Sequence, residues 1–229
     1  QVTHQLLSVL WDFARRVSGC GPTNGCSRSC RQAAHRLINV VRTLSRNNKS
    51  IQMRIFLTGV SCVGKTTIGR KIADLLGIKF FDLDQEIKRF FDTSIERLQN
   101  RFLSTHSFRN EAAKALVDLL SRPDSRMCVL ALPPSGLMGG YLRAIKKVKG
   151  NTVVLTDKPE NILKRIKFYD LDSRPIEKKL TSKEKKLYLK KITKDITYFR
   201  KSYQRASLQV DISGLDANQS ACKVIEAVK

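Results

Sequence analysis

The sequence predicts an α/β fold, a three-layer α/β/α domain in which a five-stranded parallel sheet lies between helices and a helical lid closes one end. Two observations carry this. From Met53 onward, short apolar runs of strand length alternate with stretches of helical periodicity, the pattern of strand–helix–strand units. The first apolar run breaks on a glycine-rich turn and reopens as a helix, as strands of such sheets do where they meet a ligand. No segment reaches the roughly 18 uninterrupted apolar residues of a membrane span, so a soluble protein is expected.

Residues 1–50 differ from the rest. Leu6, Leu7, Val9, Leu10, Phe13 and Ala14 are spaced for a short amphipathic helix, and Ala33 to Leu44 for a second. A loop rich in glycine, serine and cysteine separates them, and Asn47 to Ser50 reads as a polar linker. The segment is therefore read as a helical, cysteine-containing extension of unassigned role, attached to one domain over residues 51–229. The stretch before Cys20 contains Asp12, Arg15 and Arg16 and lacks the basic start and long apolar core of a secretory signal. Of the six cysteines, Cys62 falls in the predicted loop and Cys128 in a predicted buried strand, which does not suit a disulfide framework. A reducing cytoplasm is the simplest compartment. Cys20, Cys26, Cys30 and His35 are metal-ligand types, but their spacing matches no common zinc pattern.

The first predicted strand, Arg54 to Thr58, leads into Gly59, Gly64, Lys65 and Thr66, spaced as G-x-x-x-x-G-K-[ST]. Glycines at those positions let consecutive backbone N–H groups curl inward, and the helix that follows turns its positive end toward the same point. The chemistry served is binding of a nucleoside triphosphate, ATP. Gly59, Ser61, Cys62, Val63, Gly64, Lys65, Thr66 and Thr67 form the expected contact set, with Lys65 on the terminal phosphates and Thr66 on Mg²⁺. The helix, Thr66 to Leu76, has apolar residues at Ile68, Ile72, Leu75 and Leu76.

A second strand, Lys79 to Phe81, is followed by Asp82 and Asp84. Residues two apart in an extended chain point the same way, so the pair can divide the acidic work of phosphoryl transfer. One binds the metal through water and the other accepts the proton of the attacking hydroxyl. The same residues also suit the capping of a helix over Leu83 to Phe91. Further helices are predicted at Ser94–Leu103, Phe108–Leu120, Leu137–Val148, Pro159–Phe168, Lys185–Arg205 and Asp216–Val228. The remaining strands are Met127–Leu132, Thr152–Thr156 and Leu208–Ile212. The lysine-dense segment of about 170–191 reads as a mobile lid, with Arg174 its best-placed cation.

The formal net charge of +23 favours anionic partners. No DNA- or RNA-binding motif accompanies it and aromatic residues are sparse, so a basic surface around an ATP site is preferred and nucleic acid is the alternative partner.

FLTGVSCVGKTTIGRKIADLLGIKFFDLDQEI resembles the opening of the shikimate kinase family, in which a phosphate loop is followed by F-x-D-x-D-x-x-I. SFRNE at Ser107 to Glu111 is similar to that family's F-R segment, and SRPI at Ser173 to Ile176 to its lid segment. The likeness covers roughly residues 53–229. It implies a P-loop kinase using ATP and Mg²⁺, with Asp82 in the metal shell, Asp84 as base on the acceptor hydroxyl, and Arg109 gripping the acceptor. It also implies Arg174 near the transferring phosphate and Arg165 against the adenine. Three features depart from the family's pattern. Where the family has three glycines after its third strand, this chain has Pro133, Pro134 and Ser135, leaving Gly136 as the substitute backbone donor. Arg200 precedes Tyr203 by three residues rather than four, and the acidic residue after the F-R segment is displaced to Glu111. The resulting expectation is a cytoplasmic, monomeric, ATP-dependent transferase acting on shikimate. The alternatives are a kinase for another hydroxylated metabolite and a nucleotide-switched nucleic-acid-binding protein.

Overall fold

The structure, a computed structural model, describes residues 52–166, 168–169, 175–176 and 180–228. The amino-terminal extension with its three cysteines, and Arg174, lie outside the described residues.

In chain order the strands are β1 (Met53–Thr58), β2 (Lys79–Asp82), β3 (Met127–Ala131), β4 (Asn151–Thr156), β5 (Phe168–Tyr169), β6 (Pro175–Ile176) and β7 (Leu208–Asp211). The helices are α1 (Lys65–Leu76), α2 (Leu83–Phe91), α3 (Ile95–Gln99), α4 (Thr105–Ser121), α5 (Gly139–Ile145), α6 (Pro159–Lys164), α7 (Ser182–Tyr203) and α8 (Ala217–Ala227). The main sheet has five strands in the order β2-β3-β1-β4-β7, and every pairing in it is parallel. Strands β1, β3 and β4 are inner strands buried on both faces. They read as nearly unbroken apolar runs, such as IFL in β1 and VVL in β4, rather than as alternating ones. Helix α1 buries Ile68, Ile72, Ala73 and Leu76, and ends on Gly77 in the left-handed conformation. Its Gly69 lets Phe80 and Leu57 come so close that an added Cβ would lie 2.6 Å from the Phe80 ring. Helix α8 packs beside α1, while α4 packs against α2 and α5, and α6 against α7. The chain crosses from one side of β1 to the other on leaving β3 for β4, so the carboxyl ends of β1, β2 and β3 open at the point where strand order reverses.

Several predicted boundaries move. The helix expected at Ser94–Leu103 is only Ile95–Gln99, after which Arg101 N–H and Phe102 N–H close back on Leu98 and Gln99. Leu98 and Phe102, four apart, suit either a continuing helix or this tightened end, so spacing did not separate the two. The helix expected from Leu137 starts at Gly139, whose φ of +52° follows a turn in which Met138 N–H donates to Ser135 O. The helix expected to reach Phe168 ends at Lys164; Phe168–Tyr169 instead pairs antiparallel with Pro175–Ile176. The predicted lid is also too long, because Ser182–Lys191 is already the first part of α7. Its start is fixed by a capping box, in which Thr181 Oγ1 accepts from Glu184 N–H and Glu184 reaches back to Thr181 N–H. Among the described residues no helix is long and apolar enough to cross a membrane.

Candidate active site

The loop after β1 is held by its apolar residues and shaped by its glycines. Val60 and Val63 are buried, while Ser61, Cys62 and Thr67 face solvent. Gly59 has φ +145°, and a Cβ there would lie 2.6 Å from the Leu155 carbonyl oxygen of β4, so both conformation and space require glycine. Cys62 (φ +61°) and Gly64 (φ +111°) complete the curl. Gly64 is the N-cap of α1 and no side chain caps that end, which leaves the first-turn N–H groups directed at the loop's interior. A curled backbone with an uncapped helix end suits phosphate oxygens.

Lys65, the first residue of α1, turns back over the loop. Its Nζ donates to Gly59 O and Val60 O, both at 2.9 Å. Burial pushes the ammonium down to about 8, against the opposing pull of Asp84, Cys62 and Asp82. Thr66 Oγ1 donates to Asp82 Oδ2 at 2.8 Å, joining the start of α1 to the end of β2. A hydroxyl and a carboxylate set side by side are hard oxygen ligands of the kind Mg²⁺ takes.

The two aspartates do not lie in one extended chain. Asp82 ends β2, but Leu83 already begins α2, so Asp84 sits in the first helical turn and the expected strand alternation does not apply. Asp82 is at once the N-cap, with Oδ1 accepting from Asp84 N–H at 3.1 Å, and the partner of Thr66 through Oδ2. One carboxylate thus caps α2 and joins it to the start of α1. Burial of the Asp84 carboxyl raises its pKa. The Asp82 carboxylate adds to the rise and Lys65 opposes it, although the residue as a whole remains exposed.

Arg109 stands on α4, where its Nη2 donates to Thr105 Oγ1 at 3.0 Å. Gly140 at the start of α5 packs against the same stretch, since a Cβ there would meet Ala113 Cβ at 2.7 Å and Arg109 O at 3.1 Å. Arg143 Nη2 donates to Asn110 Oδ1 at 2.8 Å and reinforces this seam. Next to Gly140, Tyr141 is 1% exposed; burial raises its phenol pKa, the Asp84 carboxylate adds to the rise and Arg109 opposes it. The proposed substitute donor, Gly136, requires correction. It is buried, and its N–H donates to Pro133 O at 2.8 Å, closing a turn around the two prolines. A Cβ at Gly136 would meet Leu132 Cβ at 2.6 Å, so the glycine is needed for packing rather than for a free amide.

Arg165 lies directly after α6, its Nη1 donating to the phosphate-loop carbonyl of Val63 at 3.2 Å and pairing with Asp157 Oδ2 at 2.6 Å. Arg200 is on the exposed side of α7, off the line of Ile192, Ile196, Phe199 and Tyr203 that packs on the core. Glu111 pairs with Lys114 one turn along α4.

Three features escaped the sequence reading: the Asp157 carboxylate beneath Arg165, the buried Tyr141, and the Asn110–Arg143 link. Asp157 follows a strand at its carboxyl end, as Asp82 does, and that position was an available signal. Tyr141 looked like one more apolar residue of a helix, and nothing local distinguished it.

A family model described as shikimate kinase matches residues 61–229. The chain is 27% identical over 180 residues to a shikimate kinase of Persephonella marina, an alignment covering 76% of this chain and 98% of that protein. It is 28% identical over 160 residues to a shikimate kinase of Aquifex aeolicus, covering 69% and 86%. Among solved structures, the shikimate kinase of Bacteroides thetaiotaomicron superposes with a TM-score of 0.60 at 22% identity, over 77% of this chain and 96% of that one.

Proposed function

The chain belongs to the shikimate kinase family, and from that premise we propose that it transfers the γ-phosphoryl group of ATP to a hydroxyl of shikimate. The observation that carries the reading is the junction at the mouth of the phosphate loop, where Thr66 is bonded to Asp82 and the Lys65 ammonium lies within the field of Asp84. In this reading the loop amides and Lys65 hold the phosphates. Lys65 leaves the Gly59 and Val60 carbonyls to do so, exchanging neutral acceptors for an anionic one. Thr66 and Asp82 would hold Mg²⁺, which when bound neutralises phosphate charge. Asp84, with its pKa raised, accepts the proton of the attacking hydroxyl. Arg109 presents a planar fork to the acceptor's carboxylate. Arg174 would add positive charge as the reaction proceeds. Catalysis of this kind consists of positioning and electrostatics.

A second reading concerns the acceptor alone. Pro133, Pro134 and the engaged Gly136 N–H remove backbone donors from the loop after β3, which supports a different hydroxylated acid as the substrate. One assay tests both: purified protein with ATP and Mg²⁺, and ADP release measured against shikimate and a panel of hydroxylated acids. Shikimate-dependent ADP release is expected. Turnover of another acid without shikimate turnover selects the second reading, and no turnover with any acceptor refutes both.

A further inference from the structure

We infer that Tyr141 is a specificity residue for the acceptor: its phenol hydroxyl bonds a non-reacting hydroxyl of an acid whose attacked hydroxyl lies at Asp84 and whose carboxylate lies at Arg109. The inference rests on the kinase reading and deepens it at the acceptor.

Tyr141 lies in the first turn of α5, and its neighbour Gly140 presses that turn onto α4, where an added Cβ would meet Arg109 O and Asn110 Cα, both at 3.1 Å. The backbone at Tyr141 is thereby set against the turn that carries Arg109. The ring belongs to the core, with 1% of the residue exposed, and a tyrosine so placed ordinarily finds a partner for its hydroxyl. This one has none among the described residues. The side-chain polar atoms that are both shut from solvent and unbonded, again among the described residues, are Asp157 Oδ2 and Tyr203 OH. Tyr141 OH is unbonded yet not one of them, so solvent touches it, and the small part of Tyr141 left uncovered includes its oxygen. The ring is closed in while its polar tip opens.

The charges that act on this tip identify what it opens on. Behind the effect of burial, the Asp84 carboxylate raises the phenol pKa and the Arg109 guanidinium lowers it, so the hydroxyl stands in the field of both groups assigned to the acceptor. Burial also keeps the phenol protonated at neutral pH, a neutral group that donates one hydrogen bond and accepts another. A carboxylate is better served by Arg109, and the attacked hydroxyl by Asp84. What suits the phenol is a neutral hydroxyl elsewhere on the same acid. Once the acid displaces solvent from the tip, an unpaired phenol costs free energy, so an acid lacking that hydroxyl is rejected.

The test compares the wild-type protein with Tyr141→Phe, which removes the oxygen and keeps the ring, on shikimate and on deoxy analogues that each lack one non-reacting hydroxyl. If the panel selects another acid, the same comparison is made on that acid and its deoxy analogues. Tyr141→Phe is expected to lower kcat/KM for the full acid about tenfold, the scale of one lost hydrogen bond, while KM for ATP holds. The analogue without the hydroxyl that Tyr141 takes should be used equally well by both proteins, so the preference for the full acid over it shrinks by the same factor. The urea midpoint should not drop, because the phenol has no protein partner to lose. An unchanged kcat/KM for the full acid overturns the inference. So does an equal fall for the acid and every analogue, or a lowered urea midpoint, since either would show that the ring only supports α5. Absence of turnover by the wild-type protein refutes the kinase reading and this inference with it, whereas a Tyr141→Phe protein as selective as the wild type refutes the inference alone.

Discussion

Lys65 should couple nucleotide binding and stability to pH in opposite directions across one window. Its folded value is about 8 against an ordinary 10.5, chiefly because burial penalises the ammonium. Below pH 8 both the folded and unfolded chains carry the proton, and no pH dependence arises from this group. Between 8 and 10.5 the unfolded chain binds more protons than the folded one, so stability rises with pH, at up to roughly 1.4 kcal/mol per unit. Triphosphate binding requires the protonated form. With a value near 8 the charged fraction is about 0.9 at pH 7 and about 0.1 at pH 9, so ATP affinity should fall about tenfold between them. Calorimetric titration with ATP and urea unfolding without ligand, each at pH 7, 8 and 9, read the two slopes. Lys65→Met should remove both, and Cys62→Ser should keep both, which separates the ammonium from the nearby thiol. ATP affinity that stays flat from pH 7 to 9, or a slope that survives in Lys65→Met, would refute the assignment of this lysine.

Asp84→Asn should lower kcat by at least about 100-fold, the usual contribution of a general base, while leaving KM for ATP and the circular dichroism spectrum unchanged; retained turnover would remove Asp84 from the base role. Thr66→Val replaces the hydroxyl that bonds Asp82 at near-constant volume. It should weaken the Mg²⁺ dependence of turnover by at least about tenfold, with Thr66→Ser restoring it, as read from activity against Mg²⁺ concentration. Gly140→Ala places a methyl 2.7 Å from Ala113; a loss of about 1–3 kcal/mol in urea unfolding is expected, together with a raised KM for the acceptor as α5 shifts off Arg109. Asp157 would be pushed up by burial alone, but hydrogen bonds from Asn161, Lys158 and Ser213 and the ion pair with Arg165 outweigh this and hold it below the usual carboxylate range. It therefore contributes stability above its unfolded value that is lost as pH falls through the folded one. Asp157→Asn should flatten the acid limb of unfolding below about pH 4.

The parallel sheet was legible because its inner strands are apolar on both faces and are separated by helices with clear periodicity. Residues from Arg54 to Phe91 carry both signals within one short span. The phosphate loop was legible for a stronger reason: Gly59 and Gly64 hold backbone angles that other residues adopt at a cost, so the constraint is written in residue type. Asp82 and Asp84 were identifiable, but their geometry was not. The switch from strand to helix at Leu83 was placed correctly, yet the alternation argument was carried one residue across it. Arg165 was selected by resemblance, whereas its partner Asp157 needed the register that sets β4 beside β7 and brings Ser213 across. That is a contact between residues 56 apart in sequence, and no local pattern encodes it.

On the proposed reading, the proline loop shifts acceptor recognition from backbone to side chains. Across 132–138, Leu132 N–H is taken by Leu57 O in the sheet, Gly136 N–H by Pro133 O and Met138 N–H by Ser135 O, and the two prolines have no N–H. Consecutive backbone donors, which bind an oxygen without regard to side chains, are therefore missing from this loop. The adjoining α4–α5 seam is braced: Arg109 is held by Thr105, Gly140 is pressed against Arg109 O, and Asn110 is tied to both Arg143 and His106. On the proposed reading, acceptor choice then rests on Arg109 and the buried Tyr141, whose orientations the α4–α5 seam sets. Substitutions along that seam, even away from the acceptor, should alter which hydroxylated acid is phosphorylated more than equally conservative changes in the loop itself.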